Sequence, residues 1–281
     1  MTIGINTFLF CSPFTNKATK LFPQFKKWGF DTVEIALEDP ANIDPVFVRR
    51  ELDKSGLRCR AVCAAMGPGR DFRGTPAEQQ TSMTYLKALI DNIAILGATS
   101  LTGPLYSVVG RADAVESAQK KKDWAMVVGN LKKLAAYAEP RNVLLCVEPL
   151  NRFETDFLNT VEQALKLVKD VHSPAMRVHL DTFHMNIEEK ELGAAIRKTG
   201  KLLGHFHACG SDRGTPGGDH TDWKSIAHAL KAVKYQGDVV IESFTQDVKV
   251  IARAAAIWRR IEPTRNEIAS KGIKFLRKAL R

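Results

Sequence analysis

The alternation of short β-rich runs with longer helical segments is the feature that most constrains the fold of this 281-residue chain. Several of the β-rich runs, such as 143–147, are almost continuously apolar, which is typical of parallel strands that are buried on both faces. Eight strands are predicted, at residues 3–8, 32–36, 58–65, 100–103, 143–148, 177–181, 203–207 and 239–243.

Amphipathic helices are predicted between these strands. Apolar residues recur at every third or fourth position over 83–96 and over 124–138, so each segment presents one apolar stripe to a sheet. Helix-start signals agree with this pattern. The predicted starts are Asp44 before Pro45, Thr75 with Glu78, and Asn159 with Glu162.

Eight such units in one chain favour an α/β fold, a (β/α)8 TIM barrel that forms a single domain over residues 1–281. A doubly wound sheet is the alternative. It is disfavoured because no glycine-rich dinucleotide fingerprint follows an early strand and no Walker A lysine occurs. The chain shows no linker-like stretch, and an elaborated helical segment is expected from about residue 250.

The net charge of +10 is unevenly distributed, because residues 249–281 hold ten basic and two acidic side chains. Proteins that bind nucleic acid usually spread basic residues over a binding face. We therefore interpret the C-terminal charge as a solvated helix face and expect no nucleic-acid partner. An oligomer contact and a weak polyanion patch are the alternatives.

Cysteine usage and hydropathy indicate the cellular compartment in which the protein works. Five cysteines, an odd number without a CxxC spacing, argue against a disulfide framework and favour a reducing cytoplasm. No signal-peptide pattern is present at the N-terminus. The longest uncharged run, 92–110, is interrupted by glycine and proline, so no membrane span is predicted.

Four consecutive predicted strands end in residues of metal-ligand type. In a TIM barrel the active site lies at the carboxyl ends of the strands, so these side chains should meet at one rim. Three crowded carboxylates would repel one another unless a cation neutralised them. Oxygen ligation with one imidazole favours Mn²⁺ or Mg²⁺, with Co²⁺ as a substitute. The predicted ligands are Glu148, Asp181, His207 and Glu242.

Histidines and one further acid surround this predicted site. Of the pair on the seventh strand, we expect His207 to point into the barrel and His205 to face the helix layer. His179 should point inward at a deeper level, and His184 could overhang the metal. Glu34, at the end of the second strand, either supports the site from behind or forms a buried ion pair.

These residues lie in motifs that resemble the D-tagatose 3-epimerase family, which includes the D-allulose (D-psicose) and L-ribulose 3-epimerases. The resemblance covers essentially the whole chain, is strongest from 145 to 260 and is weak before about residue 100. The motifs that carry it are VEPLNRFET at 147–155, LNT at 158–160, LDTFHMNIEE at 180–189, GHFH at 204–207 followed by Arg213, IESF at 241–244 and AIWR at 256–259.

The resemblance implies a (β/α)8 barrel that binds a divalent metal, often Mn²⁺ or Co²⁺, and that forms homodimers or homotetramers. It implies metal ligation by the four strand-end residues already predicted. It also implies that three further residues bind the hydroxyls and the carbonyl at the reacting end of a sugar. These residues are Glu154, His184 and Arg213.

The implied reaction inverts carbon 3 of a free ketose by removing a proton and returning it through an enediolate. Inversion needs a base on one face and an acid on the other, and Glu148 and Glu242 can exchange these roles. A divalent cation, with Mn²⁺ preferred over Co²⁺ or Mg²⁺, would stabilise the negative charge that develops.

Departures from the family pattern concern the substrate. Residues 208–211 read ACGS and lack the acid that many relatives carry. The far end of the sugar is expected to meet Met66, Val108 and Val109, and the glycine-rich stretch 214–218 is expected to be a mobile flap rather than a phosphate cradle. We therefore expect non-phosphorylated ketoses as substrates.

Other functions of the same architecture remain alternatives. A hydroxypyruvate isomerase or an inosose dehydratase is the nearest competitor. A nuclease of the endonuclease IV type needs histidine ligands from early strands, and no histidine precedes His172. A catalytically inactive sugar-binding barrel would be expected to have lost a metal ligand, and none is missing.

Overall fold

Parallel strands form a closed barrel in the computed structural model, which describes residues 1–113 and 115–281. The eight strands are β1 Thr2–Asn6, β2 Thr32–Leu37, β3 Arg58–Ala64, β4 Ser100–Gly103, β5 Leu144–Val147, β6 Met176–Asp181, β7 Leu203–Ala208 and β8 Asp238–Ile241. Each strand pairs with its neighbours along the chain, and the pairing of β1 with β8 closes the ring. The predicted (β/α)8 fold class is confirmed.

Helices follow the strands and form the outer layer of the barrel. Within the described residues, the α-helices are α1 Phe22–Trp28, α2 Pro45–Ser55, α3 Pro76–Leu96, α4 Ser117–Ala138, α5 Val161–Val171, α6 Thr182–Glu188, α7 Leu192–Thr199, α8 Trp223–Ala232, α9 Lys249–Ala254 and α10 Arg265–Ala279. Two of them, α6 and α7, lie between β6 and β7, and α9 and α10 follow β8.

Three strand ends differ from the prediction in ways that matter for the rim. β1 stops at Asn6, because the Asn6 side chain accepts a hydrogen bond from the backbone N–H of Phe8 and begins a 3₁₀ turn. β5 and β8 each stop one residue before an acid, so Glu148 and Glu242 are the first residues beyond their strands. Both acids therefore sit at the carboxyl rim of the barrel.

The predicted apolar stripe on α3 is buried against the sheet. It includes Leu86, Leu89 and Ile93. Thr75 and Glu78 form the predicted capping box at its start, with both reciprocal hydrogen bonds present. Burial of one face together with a satisfied N-terminus explains why this segment is helical.

The capping box of α5 lies one residue later than predicted. Thr160 and Gln163 form it, not Asn159 and Glu162. The Asn159 amide is engaged elsewhere, because its Nδ2 atom donates to the carbonyl of Leu150 at 2.8 Å and ties the loop after β5 together. Both residue pairs have the same spacing, so sequence spacing alone could not distinguish them.

The basic C-terminal segment carries its charge on the outside of α10. Ile268, Ile273 and Leu276 are buried against the barrel, and Lys271 and Arg277 lie on the exposed side. This arrangement agrees with the interpretation of a solvated helix face.

All five cysteines are free thiols. No helix in the described part of the chain has both the length and the apolar character that crossing a membrane requires.

Candidate metal and substrate site

Four acidic and imidazole side chains converge at the carboxyl rim of the barrel. Glu148, Asp181, His207 and Glu242 each offer one ligand atom, and these atoms all lie within 4.8 Å of one another. All four side chains are buried. The structure thus brings together the complete set of predicted ligands from four consecutive strands.

Local structure orients Asp181 in this cluster. It is the last residue of β6 and also the N-cap of α6, where its Oδ1 atom accepts from the backbone N–H of Phe183 at 2.7 Å. Its Oδ2 atom lies 2.5 Å from Nη1 of Arg213. One carboxylate oxygen therefore starts a helix and the other faces the cluster.

The charges in the cluster are strongly coupled. Burial, followed by the proximity of Glu242, raises the pKa of Glu148 well above its usual value. Burial alone would raise the pKa of Asp181, but Arg213 and His184 outweigh it, and that pKa is lowered. The pKa of His207 is raised well above 6.5, because Glu34 and Glu242 outweigh the effect of burial.

Two buried atoms in the cluster show that the donor set fits a divalent cation. Oε1 of Glu148 and Nδ1 of His207 have no hydrogen-bond partner, although both are inaccessible to solvent. Unpaired buried acceptors are costly, and a cation would satisfy both. Three carboxylates and one imidazole are a donor set suited to Mn²⁺, Co²⁺ or Mg²⁺.

The residues expected at the reacting end of a sugar lie beside this cluster. Glu154, His184 and Arg213 line the same cavity as Glu148 and Glu242. Arg213 joins the two groups, because its Nη1 atom donates to Asp181 at 2.5 Å and to Glu242 at 3.1 Å. Phe183 and Phe244 lie against the guanidinium, with centroid distances of 4.1 and 4.8 Å.

Asn151 is a positioning residue that the sequence reasoning missed. Its Nδ2 atom donates to Oε1 of Glu154 at 2.8 Å, and its backbone N–H donates to Nδ1 of His184 at 3.0 Å. The other ring nitrogen of His184 lies 2.8 Å from Nη2 of Arg213. A neutral imidazole that accepts at Nδ1 carries its proton on Nε2, so two donors face each other there. An acceptor oxygen to one side of this contact, within hydrogen-bond reach of both nitrogens, would satisfy both donors.

A second polar layer lies beneath the rim. Glu34 is 1% exposed, and its Oε2 atom lies 2.6 Å from Nε2 of His207. Asn6 and Thr102 donate hydrogen bonds to the same carboxylate at 2.9 and 2.7 Å. Glu34 therefore supports the rim from below, and since it raises the pKa of His207, the contact is also consistent with the buried ion pair that was considered. The contact fixes the orientation of His207, as carboxylates do for metal-binding histidines.

The prediction that His205 faces the helix layer is wrong. Its Nε2 atom lies 3.0 Å from Oε1 of Glu34, inside the barrel. His205 and His207 are two residues apart on β7, and side chains at this spacing lie on the same face of a strand. His179, predicted to point inward at a deeper level, does so and is fully buried.

Cys209 stands in the stretch that departs from the family pattern. Its thiol lies 3.5 Å from Oδ1 of Asp181 and donates to it. Burial and the Asp181 charge raise the pKa of Cys209 well above its usual value, so the group stays a neutral thiol. A neutral donor thus contacts Asp181 at this edge of the site.

The cavity over the rim has a volume of about 380 Å³. Its inner end is formed by the acids and by Arg213, and its outer part is mainly apolar. Met66 and Val109 line it as expected, whereas Val108 does not. Ser12, Glu38 and Arg70 are polar lining residues that the sequence did not reveal. The apolar lining residues include Phe8, Ala65, Met66, Val109, Val250, Ile251, Ala254 and Ala255.

The stretch 214–218 is not the flap that was expected. No residue of it lines the cavity, and Gly214 accepts a hydrogen bond from Ser243. Gly217 lies against the Phe275 ring of α10, where an added Cβ would come within 2.4 Å of that ring. Residues of α9, such as Val250 and Ile251, line the cavity instead.

The closed parallel barrel, with a buried cluster of residues that could hold a cation at its carboxyl rim, defines a TIM barrel with a candidate metal site. The chain belongs to the xylose isomerase-like TIM barrel family, whose model matches residues 22–279. The resemblance inferred from the motifs is therefore confirmed, and it extends to individual relatives.

Curated relatives support this assignment in more detail. The chain is 35% identical over 275 residues to a probable ketose 3-epimerase of Synechocystis sp. The aligned region covers 98% of this chain and 95% of the relative. It is 32% identical over 253 residues to a D-psicose 3-epimerase of Agrobacterium fabrum, covering 88% and 84%. Both relatives are named as epimerases and so belong to the isomerase class.

Solved structures agree with the sequence relatives. The D-allulose 3-epimerase of Methylomonas sp. superposes with a TM-score of 0.93 at 28% identity, covering 100% of this chain and 98% of that one. An L-ribulose 3-epimerase superposes with a TM-score of 0.92 at 29% identity, covering 99% and 94%.

Proposed function

We propose that the protein is a divalent-metal-dependent 3-epimerase of free ketoses. The observation that carries the proposal is the buried cluster of Glu148, Asp181, His207 and Glu242, of which Glu148 and Glu242 line one cavity with Arg213. The 3-epimerase names of the relatives, which cover almost the whole chain, agree with this chemistry.

The four clustered residues would hold the cation, and Mn²⁺ is the ion we propose, with Co²⁺ or Mg²⁺ as substitutes. When bound, a divalent cation supplies Lewis-acid stabilisation of negative charge on substrate oxygens. Glu34 keeps His207 in the orientation in which Nδ1 faces the cluster and Nε2 lies 2.6 Å from the Glu34 carboxylate.

Glu148 and Glu242 are the proposed acid and base at carbon 3. One carboxylate takes the proton from one face of the substrate, and the other carboxylic acid returns a proton on the opposite face. Burial and the nearby Glu242 raise the pKa of Glu148 well above its usual value, which favours the protonated form of this carboxyl. Arg213 donates a hydrogen bond to the Glu242 carboxylate at 3.1 Å.

Three further residues would orient the reacting end of the ketose. Nη2 of Arg213 and Nε2 of His184 lie 2.8 Å apart, and a substrate oxygen to one side of this contact, within reach of both nitrogens, would accept from both. Glu154, held by Asn151, would accept a hydrogen bond from a neighbouring hydroxyl. The Arg213 and His184 contacts would also offset the negative charge of the enediolate.

We propose ketoses without a phosphate group, such as D-fructose/D-allulose, D-tagatose/D-sorbose or L-ribulose/L-xylulose. Most of the outer cavity is apolar, and Glu38 there would repel an anion. Arg70 is a cation at the same end, but its Nη1 atom donates to the carbonyl of Ala65 and its guanidinium lies 3.7 Å from the Tyr85 ring. Arg70 is thus engaged in holding the loop after β3.

We also propose that the protein works in the cytoplasm as a homodimer or homotetramer. Five free thiols are compatible with a reducing compartment. Phe153 and Trp258 are 74% and 82% exposed, and large exposed aromatic side chains are enriched in contacts between subunits.

The test is an assay of metal-free and Mn²⁺-loaded protein on a panel of free ketoses and on D-fructose 6-phosphate. We expect 3-epimers to form only with metal, and kcat/KM to be higher for the free hexose. Isomerisation of hydroxypyruvate or dehydration of an inosose without any 3-epimer would overturn the proposal. A higher kcat/KM for the phosphorylated sugar would overturn the substrate class alone.

A further inference from the structure

Three imidazole rings meet inside the barrel beneath the proposed catalytic cluster. The rings of His179 and His207 have centroids 4.1 Å apart, and His205 lies 4.8 Å from His179 and 5.0 Å from His207. Each residue offers a ring nitrogen, and the three nitrogens lie within 4.8 Å of one another. His179 has no role in the proposed reaction.

The hydrogen-bonding potential of these rings is largely unused. Neither ring nitrogen of His179 has a partner, although the residue is fully buried, and Nε2 of His205 has none of acceptable geometry. Unpaired buried polar atoms are costly and rare in folded proteins, so each of them needs an explanation. His179 alone presents two of them.

One negative charge lies beside the three rings. The Glu34 carboxylate is 3.0 Å from Nε2 of His205 and 2.6 Å from Nε2 of His207. If Nδ1 of His207 donates its lone pair to a cation at the rim, the His207 ring is neutral. The negative charge of Glu34 then has no positively charged partner among these contacts. A cation between the imidazoles would supply that charge.

We propose that His179, His205 and His207 form a second, nitrogen-rich cation site that takes Zn²⁺ in preference to Mn²⁺. Imidazole nitrogen suits Zn²⁺, whereas the carboxylates of the rim suit Mn²⁺. Zn–N bonds of about 2.1 Å place tetrahedral ligands roughly 3.4 Å apart, so binding draws the rings together.

This inner site does not depend on the proposed epimerase activity, and its test measures binding. Metal-free wild-type protein, His179→Leu and His179→Asn are titrated with Zn²⁺ and, separately, with Mn²⁺. His228→Ala is the matched control, because His228 is an exposed histidine on α8. We expect both His179 variants to lose at least about 10-fold in Zn²⁺ affinity, and the control and all Mn²⁺ affinities to stay within about 2-fold.

A second measurement needs no variant. Crystals of the wild-type protein soaked in Zn²⁺ should show an anomalous peak between the three rings. A peak only among Glu148, Asp181 and Glu242, or no peak, overturns the inner site. Zn²⁺ affinity that both His179 substitutions leave unchanged overturns it as well.

Discussion

The two halves of the barrel rim carry different chemistry. At the ends of β5 to β8 lie Glu148, Asp181, His207 and Glu242, which form one buried cluster. The ends of β1 to β4 carry no such cluster among the described residues, and their following loops supply mainly apolar cavity wall. Under the proposed function, the β5–β8 half would transfer the proton and the β1–β4 half would fit the substrate.

The separation is incomplete below the rim. Glu34 of β2, Asn6 of β1 and Thr102 of β4 all reach into the layer that supports His207. The early strands therefore contribute to the metal half from underneath, while their loops shape the cavity above.

The largest effect should come from the acid/base pair in the β5–β8 half. Glu148→Gln and Glu242→Gln should each lower kcat by at least about 10³-fold, because a general acid or base is lost. Metal content must be measured on the same samples, since both residues are also proposed ligands. A fully loaded Glu242→Gln protein with near-normal turnover would remove Glu242 from the mechanism.

The contribution of β2 to the metal half is tested by Glu34→Gln. Loss of the carboxylate that orients His207 should weaken Mn²⁺ binding by about 10–100-fold. Glu162→Gln on the exposed side of α5 is the control and should leave affinity unchanged. Equal Mn²⁺ affinities for the wild type and Glu34→Gln would show that the two halves are independent.

Much of this division could be predicted from the sequence, and the reason lies in strand ends. Glu148, Asp181, His207 and Glu242 each close an apolar run, so their placement at one rim follows from the parallel barrel. His205 was misassigned because its two-residue spacing from His207 was interpreted as a change of face. Residues that act across the fold, such as Glu34 on His207, cannot be paired from spacing alone.

The cavity wall was harder to predict for a related reason. Val250 and Ile251 of α9 line the cavity although they lie far along the chain from β1 to β4. The glycines of stretch 214–218 favour a mobile loop, yet Gly217 allows this stretch to pack closely against α10. Only the tertiary packing of the C-terminal segment settles which loop covers the site.

Protons should leave the rim when a cation enters it. The pKa values of His207 and Glu148 are both raised, so the metal-free protein holds protons that the cation must displace. Mn²⁺ affinity should therefore rise with pH, by about 10-fold per pH unit for each proton released, until the pH exceeds these pKa values. Calorimetry in buffers of different ionisation enthalpy counts the protons. A count of zero at neutral pH would contradict the assigned protonation.

The smallest effect is expected in the apolar half of the cavity. Val109→Ala removes two methyl groups from a wall residue that is 37% exposed, so about 0.5–1 kcal/mol of substrate contact should be lost. KM should rise about 2–5-fold with kcat retained, since this contact does not change in the transition state. Val46→Ala, at an exposed position on α2, is the control. A large fall in kcat would place the β1–β4 half in the chemistry.

The central claim is that the rim cluster removes and returns a proton at carbon 3 of a ketose. Nuclear magnetic resonance of D-fructose and D-allulose equilibrated with Mn²⁺-loaded protein in D₂O tests it directly. We expect deuterium to enter both sugars at carbon 3 only, and we expect chelation of the metal to stop its incorporation. Deuterium at carbon 1, which marks aldose–ketose isomerisation, or epimer formation without solvent deuterium, would contradict it.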